Sequence, residues 1–177
     1  MKILNPAKTK RTELFEEAAT QYGPAIDRLV RAYEMNAGKQ PDLLQEIHLS
    51  LWQSFENYES RCSLRTWVYR VAHNTAASYV LKECRKHSAE WLTLEQVDEF
   101  PDPDHFEGTS DRQLALEKLM RLVHRLKPPD RQLMLLYLED MNAESIGEIA
   151  GISAGAVRVQ IHRIKTILAR RFHGGTP

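Results

Sequence analysis

Cysteine is almost missing from this chain, with only Cys62 and Cys84 among 177 residues. Two thiols cannot build a disulfide framework, so stability must come from an apolar core, and a reducing cytoplasm is the expected setting. Cys84 and His87 lie three apart, with Cys62, His48 and His73 elsewhere. No second Cys-x-x-Cys or paired His completes a site, so neither a metal nor a cofactor is expected. Long hydrophobic runs are missing as well. No segment reaches the ~18 apolar residues of a membrane span, and the opening "MKILNPAKTKRTELFEE" lacks the apolar centre of a signal peptide. Direct membrane insertion is not expected. There is no glycine-rich phosphate loop and no G-x-S-x-G elbow, and Glu13, Glu16 and Glu17 need only a helix dipole to explain them. No catalytic residue is assigned, and an enzyme is not expected.

Net charge is missing only in the sum. Residues 1–87 hold 13 Lys/Arg against 10 Asp/Glu, and residues 113–177 hold 10 against 6. Between them, residues 88–112, "SAEWLTLEQVDEFPDPDHFEGTSDR", hold one Arg against eight Asp/Glu. This stretch has Pro101, Pro103, Gly108 and no helical period, which reads as an acidic linker joining two basic domains. An acidic strap between basic domains can occupy places where nucleic acid would otherwise bind.

Strand alternation is missing too, and apolar residues recur instead at three and four. The fold expected is all-α, two small helical domains (1–87 and 113–177) joined by the linker. Helices are expected over 12–36 with a bend at Gly23-Pro24, then 42–56, 63–86, 112–126, 130–139 after a Pro128-Pro129 stop, 143–150 and 154–172. The second would turn Leu43, Ile47, Leu51 and Phe55 inward. The third would bury Leu64, Trp67, Val68, Val71, Thr75, Ala76, Tyr79 and Val80, leaving a cationic face with Arg65, Arg70 and Lys82.

"ESIGEIAGISAGAVRVQIHRIK" has the layout of a helix-turn-helix: a short helix, a turn at Gly151, and a longer helix. Asn142 and Ser153 are N-cap candidates, and Gly151 suits the left-handed backbone of the turn. Ile146, Ile149, Ile152, Val157 and Ile161 would share a core, with Ala150 permitting close approach. Gly155, Arg158, Val159 and His162 then face outward, where a major groove could receive them. From Gly151 to Phe172 the chain has five Lys/Arg and no acidic residue. Arg158 suits guanine or phosphate, while Arg163, Lys165, Arg170 and Arg171 suit the backbone, and a capping Ser153 offers its hydroxyl and nearby amides to phosphate.

Two blocks then resemble one family. "DLLQEIHLSLWQSFENYESRCSLRTWVYRVAHNTAASYVLKECRK" resembles region two of bacterial sigma factors, and "LKPPDRQLMLLYLEDMNAESIGEIAGISAGAVRVQIHRIK" resembles region four. The absence of other regions is similar to the small extracytoplasmic-function (ECF) group. The resemblance implies a transcription initiation factor that binds core RNA polymerase, recognises and melts a minus-ten element, and reads a minus-thirty-five element. It implies a polymerase-facing set of Asp42, Gln45, Glu46 and Leu49. It also implies a minus-ten strand handled by the loop 57–62 with Tyr58, and by Arg65, Tyr69, Arg70, His73 and Asn74, with Trp67 as core. A cationic groove with aromatic and amide groups is what single-stranded DNA requires. Ser153, Arg158, His162, Arg163 and Lys165 would serve the minus-thirty-five duplex. An anti-sigma factor or other regulator is the expected further partner.

Two departures stand out. "GKQPD" leaves only Asp42 where the family often has an acidic cluster, which leaves room for charge added by phosphorylation of Ser50 or Ser54. Val159 and Gln160 replace small polar and basic residues. The alternative is a stand-alone helix-turn-helix regulator that binds duplex DNA without polymerase.

Overall fold

Amphipathic period dictates the elements. The computed structural model describes residues 6–87 and 112–172. They form seven α-helices: α1 (Pro6–Tyr33), α2 (Gln40–Ser54), α3 (Leu64–His87), α4 (Arg112–Arg125), α5 (Pro128–Leu138), α6 (Ala143–Ala150) and α7 (Ala154–Phe172). The acidic stretch 88–111 lies outside the described residues, and Arg112 already opens α4. The chain divides into two compact units, with the boundary in sequence between residues 86 and 87.

In the N-terminal unit, α1 runs unbroken through Gly23-Pro24 as one α-helical segment. Pro24 is exposed, on the side where a carbonyl deprived of its donor can be hydrated. Pro41 lies in the first turn of α2, where a missing N–H costs nothing, and Leu43, Ile47 and Leu51 at a spacing of four are fully buried. A short 3-10 turn, Phe55–Asn57, extends α2 and buries Phe55. Ser63 then caps α3, its hydroxyl accepting from the Thr66 amide at 3.0 Å.

The helices α2 and α3 run antiparallel. Lys82 near the end of α3 meets Glu46 of α2 at 3.2 Å, while Trp67 near its start donates Nε1–H to Ser54 Oγ at 3.0 Å. The buried stripe of α3 is Val68, Tyr69, Ala72, His73, Ala76 and Val80, with Thr66 also enclosed. This corrects the expected stripe: Leu64, Trp67, Val71, Thr75 and Tyr79 lie on its flank, half-buried.

In the C-terminal unit, Pro128 starts α5 rather than stopping the preceding helix, because proline's fixed φ suits a first turn. Arg131 is completely buried, and its Nη2 donates to the carbonyls of His124 and Leu126 at the end of α4. Its charge sits where the α4 dipole is negative. Asn142 caps α6 by accepting from the Ser145 amide at 2.8 Å, and Ser153 caps α7 by accepting from Ala156 at 3.2 Å. Gly151 has φ of 75°, and its N–H closes on the Gly147 carbonyl at 2.8 Å.

The shared core of the helix pair holds Ile146, Ile149, Val157 and Ile161, continued by Ile164 and Leu168. Ile152 does not belong to it, being 41% exposed in the turn. The close approach is made by Gly147 rather than Ala150: a Cβ at Gly147 would fall 2.6 Å from the Ile152 carbonyl oxygen, well inside contact distance. Gly147→Ala should therefore destabilise this unit by about 1–3 kcal/mol, the usual cost of overpacking against backbone. Amide hydrogen exchange read helix by helix should show faster exchange in α6 and α7, with α1 to α3 unchanged; full protection of α6 in the variant contradicts the packing described.

Candidate nucleic-acid and polymerase interfaces

Burying Leu43, Ile47 and Leu51 of α2 turns its other side outward. Asp42, Gln45 and Leu49 are exposed, with Glu46 beside them half-buried. Leu49 is a single exposed leucine among polar groups, 54% exposed. The charges of this surface are partly matched within the fold: Glu46 meets Lys82, and Lys39 of the "GKQPD" stretch meets Glu83 at 2.8 Å. The hydrogen bond that Lys39 donates to the Glu83 carboxylate raises the Lys39 pKa. Asn36 shapes the turn before α2, its Oδ1 accepting from the Gly38 amide at 2.9 Å. Ser54 is occupied locally, donating to the Leu51 carbonyl at 2.9 Å while accepting from Trp67.

The outer side of α3 carries Arg65 and Asn74, both exposed, with Arg70 half-buried. Tyr58 stands at its N-terminal end, half-buried, donating its hydroxyl to the Cys62 carbonyl at 2.9 Å and lying 5.3 Å from the Trp67 ring. Trp67 lies half-buried on the flank of α3, anchored by that ring and by Ser54.

Two members of the expected minus-ten set are elsewhere. His73 is enclosed, its Nδ1 hydrogen-bonded with the Tyr33 hydroxyl at 3.1 Å. Burial lowers its pKa to about 3, so the ring is neutral at physiological pH. Tyr69 is also buried, stacked on His73 at 6.3 Å and edge-on to Tyr22 at 6.2 Å. The resemblance implies that both face the minus-ten strand. Their rings instead fill the core, and a phenol forty residues away satisfies the imidazole. The small side chains Ala72 and Ala76 were the signal for this rotation, since they mark the close-packed side of α3.

In the C-terminal unit, Ser153, Gly155, Arg158, Val159, His162, Arg163 and Lys165 are all exposed, as the helical period requires once Val157, Ile161 and Ile164 are buried. Sequence reasoning did not find Glu144 in the first turn of α6, whose carboxylate pairs with the Arg158 guanidinium. Gln160 turns back to α5, donating to Asp130 Oδ1 at 2.7 Å. Lys165 also leans on α5, with Nζ 3.0 Å from the Tyr137 hydroxyl and 4.8 Å above its ring. Among the described residues no group of His, Cys, Asp or Glu has the arrangement of a metal site, and no helix is long and apolar enough to cross a membrane.

Comparison with known proteins matches this division of the chain. Residues 18–86 match the Sigma-70 region 2 family and residues 116–168 match Sigma-70 region 4. The ECF RNA polymerase sigma-E factor of Haemophilus influenzae is 28% identical over 165 residues, covering 89% of this chain and 86% of that protein. Its counterpart from Escherichia coli strain K12 is 25% identical over 158 residues, covering 85% and 82%. Two solved structures share the fold. CnrH, in complex with the cytosolic domain of CnrY, has a TM-score of 0.67 at 15% identity, covering 96% of this chain and 94% of that one. The sigma factor RpoE of Bartonella quintana, in complex with the anti-sigma factor NepR, has a TM-score of 0.64 at 18% identity, covering 89% and 95%.

The two helical units are those of a sigma factor, and the chain belongs to the ECF group of RNA polymerase sigma factors. It is accordingly a transcription initiation factor that binds polymerase and directs it to promoters.

The enclosure of His73 has a pH signature. Its folded pKa lies below the ordinary 6.5, so the unfolded chain binds the extra proton between those values. Its contribution to stability is complete above about pH 6.5 and is lost progressively as pH falls toward 3, at up to about 1.4 kcal/mol per pH unit. Urea midpoints read by Trp52 and Trp67 fluorescence at pH 7.5 and 5 should drop for the wild type and drop much less for His73→Gln. Equal drops in the two proteins contradict a buried neutral His73.

Proposed function

We propose that the two units divide promoter recognition between them. The N-terminal unit, residues 1–87, would bind core polymerase through Asp42, Gln45, Glu46 and Leu49 and hold the minus-ten strand on α3. The C-terminal unit, residues 113–177, would read the minus-thirty-five duplex, and the acidic stretch 88–112 would tether the two. The observation that carries this reading is that α3 and α7 each bury one side while leaving an amide or cationic group outward, Asn74 on one and Arg158 on the other.

On α3, Asn74 is the base-reading group, because an exposed amide offers both a donor and an acceptor to an unpaired base. Arg65 and Arg70 serve the backbone, and Tyr58 offers a ring edge beside the loop 57–62. Tyr69 and His73 act through packing alone, setting the rotation that presents Asn74. Opening requires no ATP in this scheme; binding of flipped bases offsets unstacking, which costs a few kcal/mol per step. The chain therefore needs no catalytic centre, metal or cofactor of its own.

On α7, Ser153 and the amides it leaves at the helix start bind phosphate, Arg158 reads the groove, and His162, Arg163 and Lys165 flank it. Glu144 holds the Arg158 guanidinium at the groove edge and leaves the other side of its donor fork for guanine. The site of action is the cytoplasm, where polymerase and promoters are found. RpoE of Bartonella quintana was solved with an anti-sigma factor, and a partner of that class is proposed for this chain.

Asn74→Ala should weaken promoter opening by polymerase at least tenfold while leaving duplex binding through α7 unchanged, measured by strand reactivity and by footprinting upstream. Equal losses in both assays refute the assignment. Arg158→Ala should relax selectivity at one position of the minus-thirty-five element, at a cost of about 1–3 kcal/mol. A uniform loss across all sequences means that Arg158 meets phosphate instead.

A further inference from the structure

Val159 is the most exposed large apolar side chain among the described residues, at 69%. One exposed valine is ordinary on a protein surface; its surroundings are not. Arg158, before it, is drawn toward Glu144 of α6, and Gln160, after it, is drawn to Asp130 of α5. Gly155 and Ala156, one turn earlier, have almost no side chain. The isopropyl group is thus the apolar group that projects from the first two turns of α7, beside the Arg158 side chain, which stays 62% exposed in its pair with Glu144. The exposed residues beside it are Gly155, Ala156, Arg158, His162 and Arg163, and Ala156 alone adds too little apolar surface to make a patch for a protein partner. The helix that carries it has five Lys/Arg and no acidic residue from Gly151 onward.

We propose that Val159 selects a thymine in the duplex element that α7 engages, by contact with the C5-methyl group. A valine has no donor or acceptor, so it discriminates only through apolar contact, and the major groove offers one apolar group of that kind among the four bases. Cytosine carries hydrogen at the same position and leaves the isopropyl against water. The preferred element therefore contains a thymine whose methyl group meets Val159. This rests on the reading of α7 as the duplex-binding helix, and the test separates the two.

Full-length protein with core polymerase is first used to enrich duplexes from a library randomised over the upstream element. Each thymine in the enriched element is then replaced in turn by uracil, which removes only the methyl group. Wild-type holoenzyme should lose about fourfold in affinity at one of these positions, the worth of one buried methyl. Val159→Ala holoenzyme should bind thymine and uracil duplexes equally at that position, and the variant should fold normally because residue 159 is exposed. An enriched element without thymine, uracil tolerated everywhere by the wild type, or the same uracil loss in Val159→Ala each overturn the assignment to Val159. A loss of core polymerase binding by Val159→Ala without DNA overturns it in favour of a protein contact. No enriched upstream element at all overturns the reading of α7 itself, and the inference with it.

Discussion

The hydrogen bond between Tyr33 and His73 sets the rotation of α3, and the surface that α3 offers follows from it. A buried imidazole without a partner would cost on the order of 1–3 kcal/mol, so the ring and the phenol hold each other inside. With His73 and Tyr69 turned in over Ala72 and Ala76, the helical period leaves Asn74 outward. The cationic and amide groups of α3 thus stand on a frame that is rigid because of what is packed behind them. At its two ends, the Trp67–Ser54 bond and the Lys82–Glu46 pair tie α3 to α2, whose outer side carries the residues proposed to meet polymerase.

The C-terminal unit reaches the same result with different means. Here the constraint is backbone proximity, with Gly147 packed against the Ile152 carbonyl and Gly151 in the left-handed region. Val157, Ile161 and Ile164 lock α7 from one side, and Arg131 closes the end of α4 from within. What α7 exposes near its start includes Val159, whose sequence neighbours Arg158 and Gln160 are drawn to other helices. A charged helix with little acidic competition gives general attraction to DNA, and the few groups at its start are left to give sequence preference.

Much of this was readable from local pattern. Caps at Asn142 and Ser153, the turn at Gly151 and the inward stripe of α2 each depend on residues within four or five positions, and all stand where the periodicity puts them. The errors came where a distant partner decides. Tyr69 and His73 look like surface groups until Tyr33, forty residues earlier, is placed against them. Ile152 looks like core until the turn directs its side chain outward and its carbonyl toward Gly147. The Glu144–Arg158 pair spans two helices and has no local signature. The boundary at Pro128 was misread because proline both ends helices and begins them, and the choice depends on what precedes it.

The central claim is that one chain with two separate surfaces directs polymerase to promoters. The most direct measurement is to mix the purified protein with bacterial core RNA polymerase and genomic DNA fragments and to map transcript starts, with core alone as control. The account predicts new starts at discrete sites preceded by a shared upstream element. Footprints by the protein alone, with no new starts when polymerase is added, would contradict it and leave a duplex-binding regulator in its place.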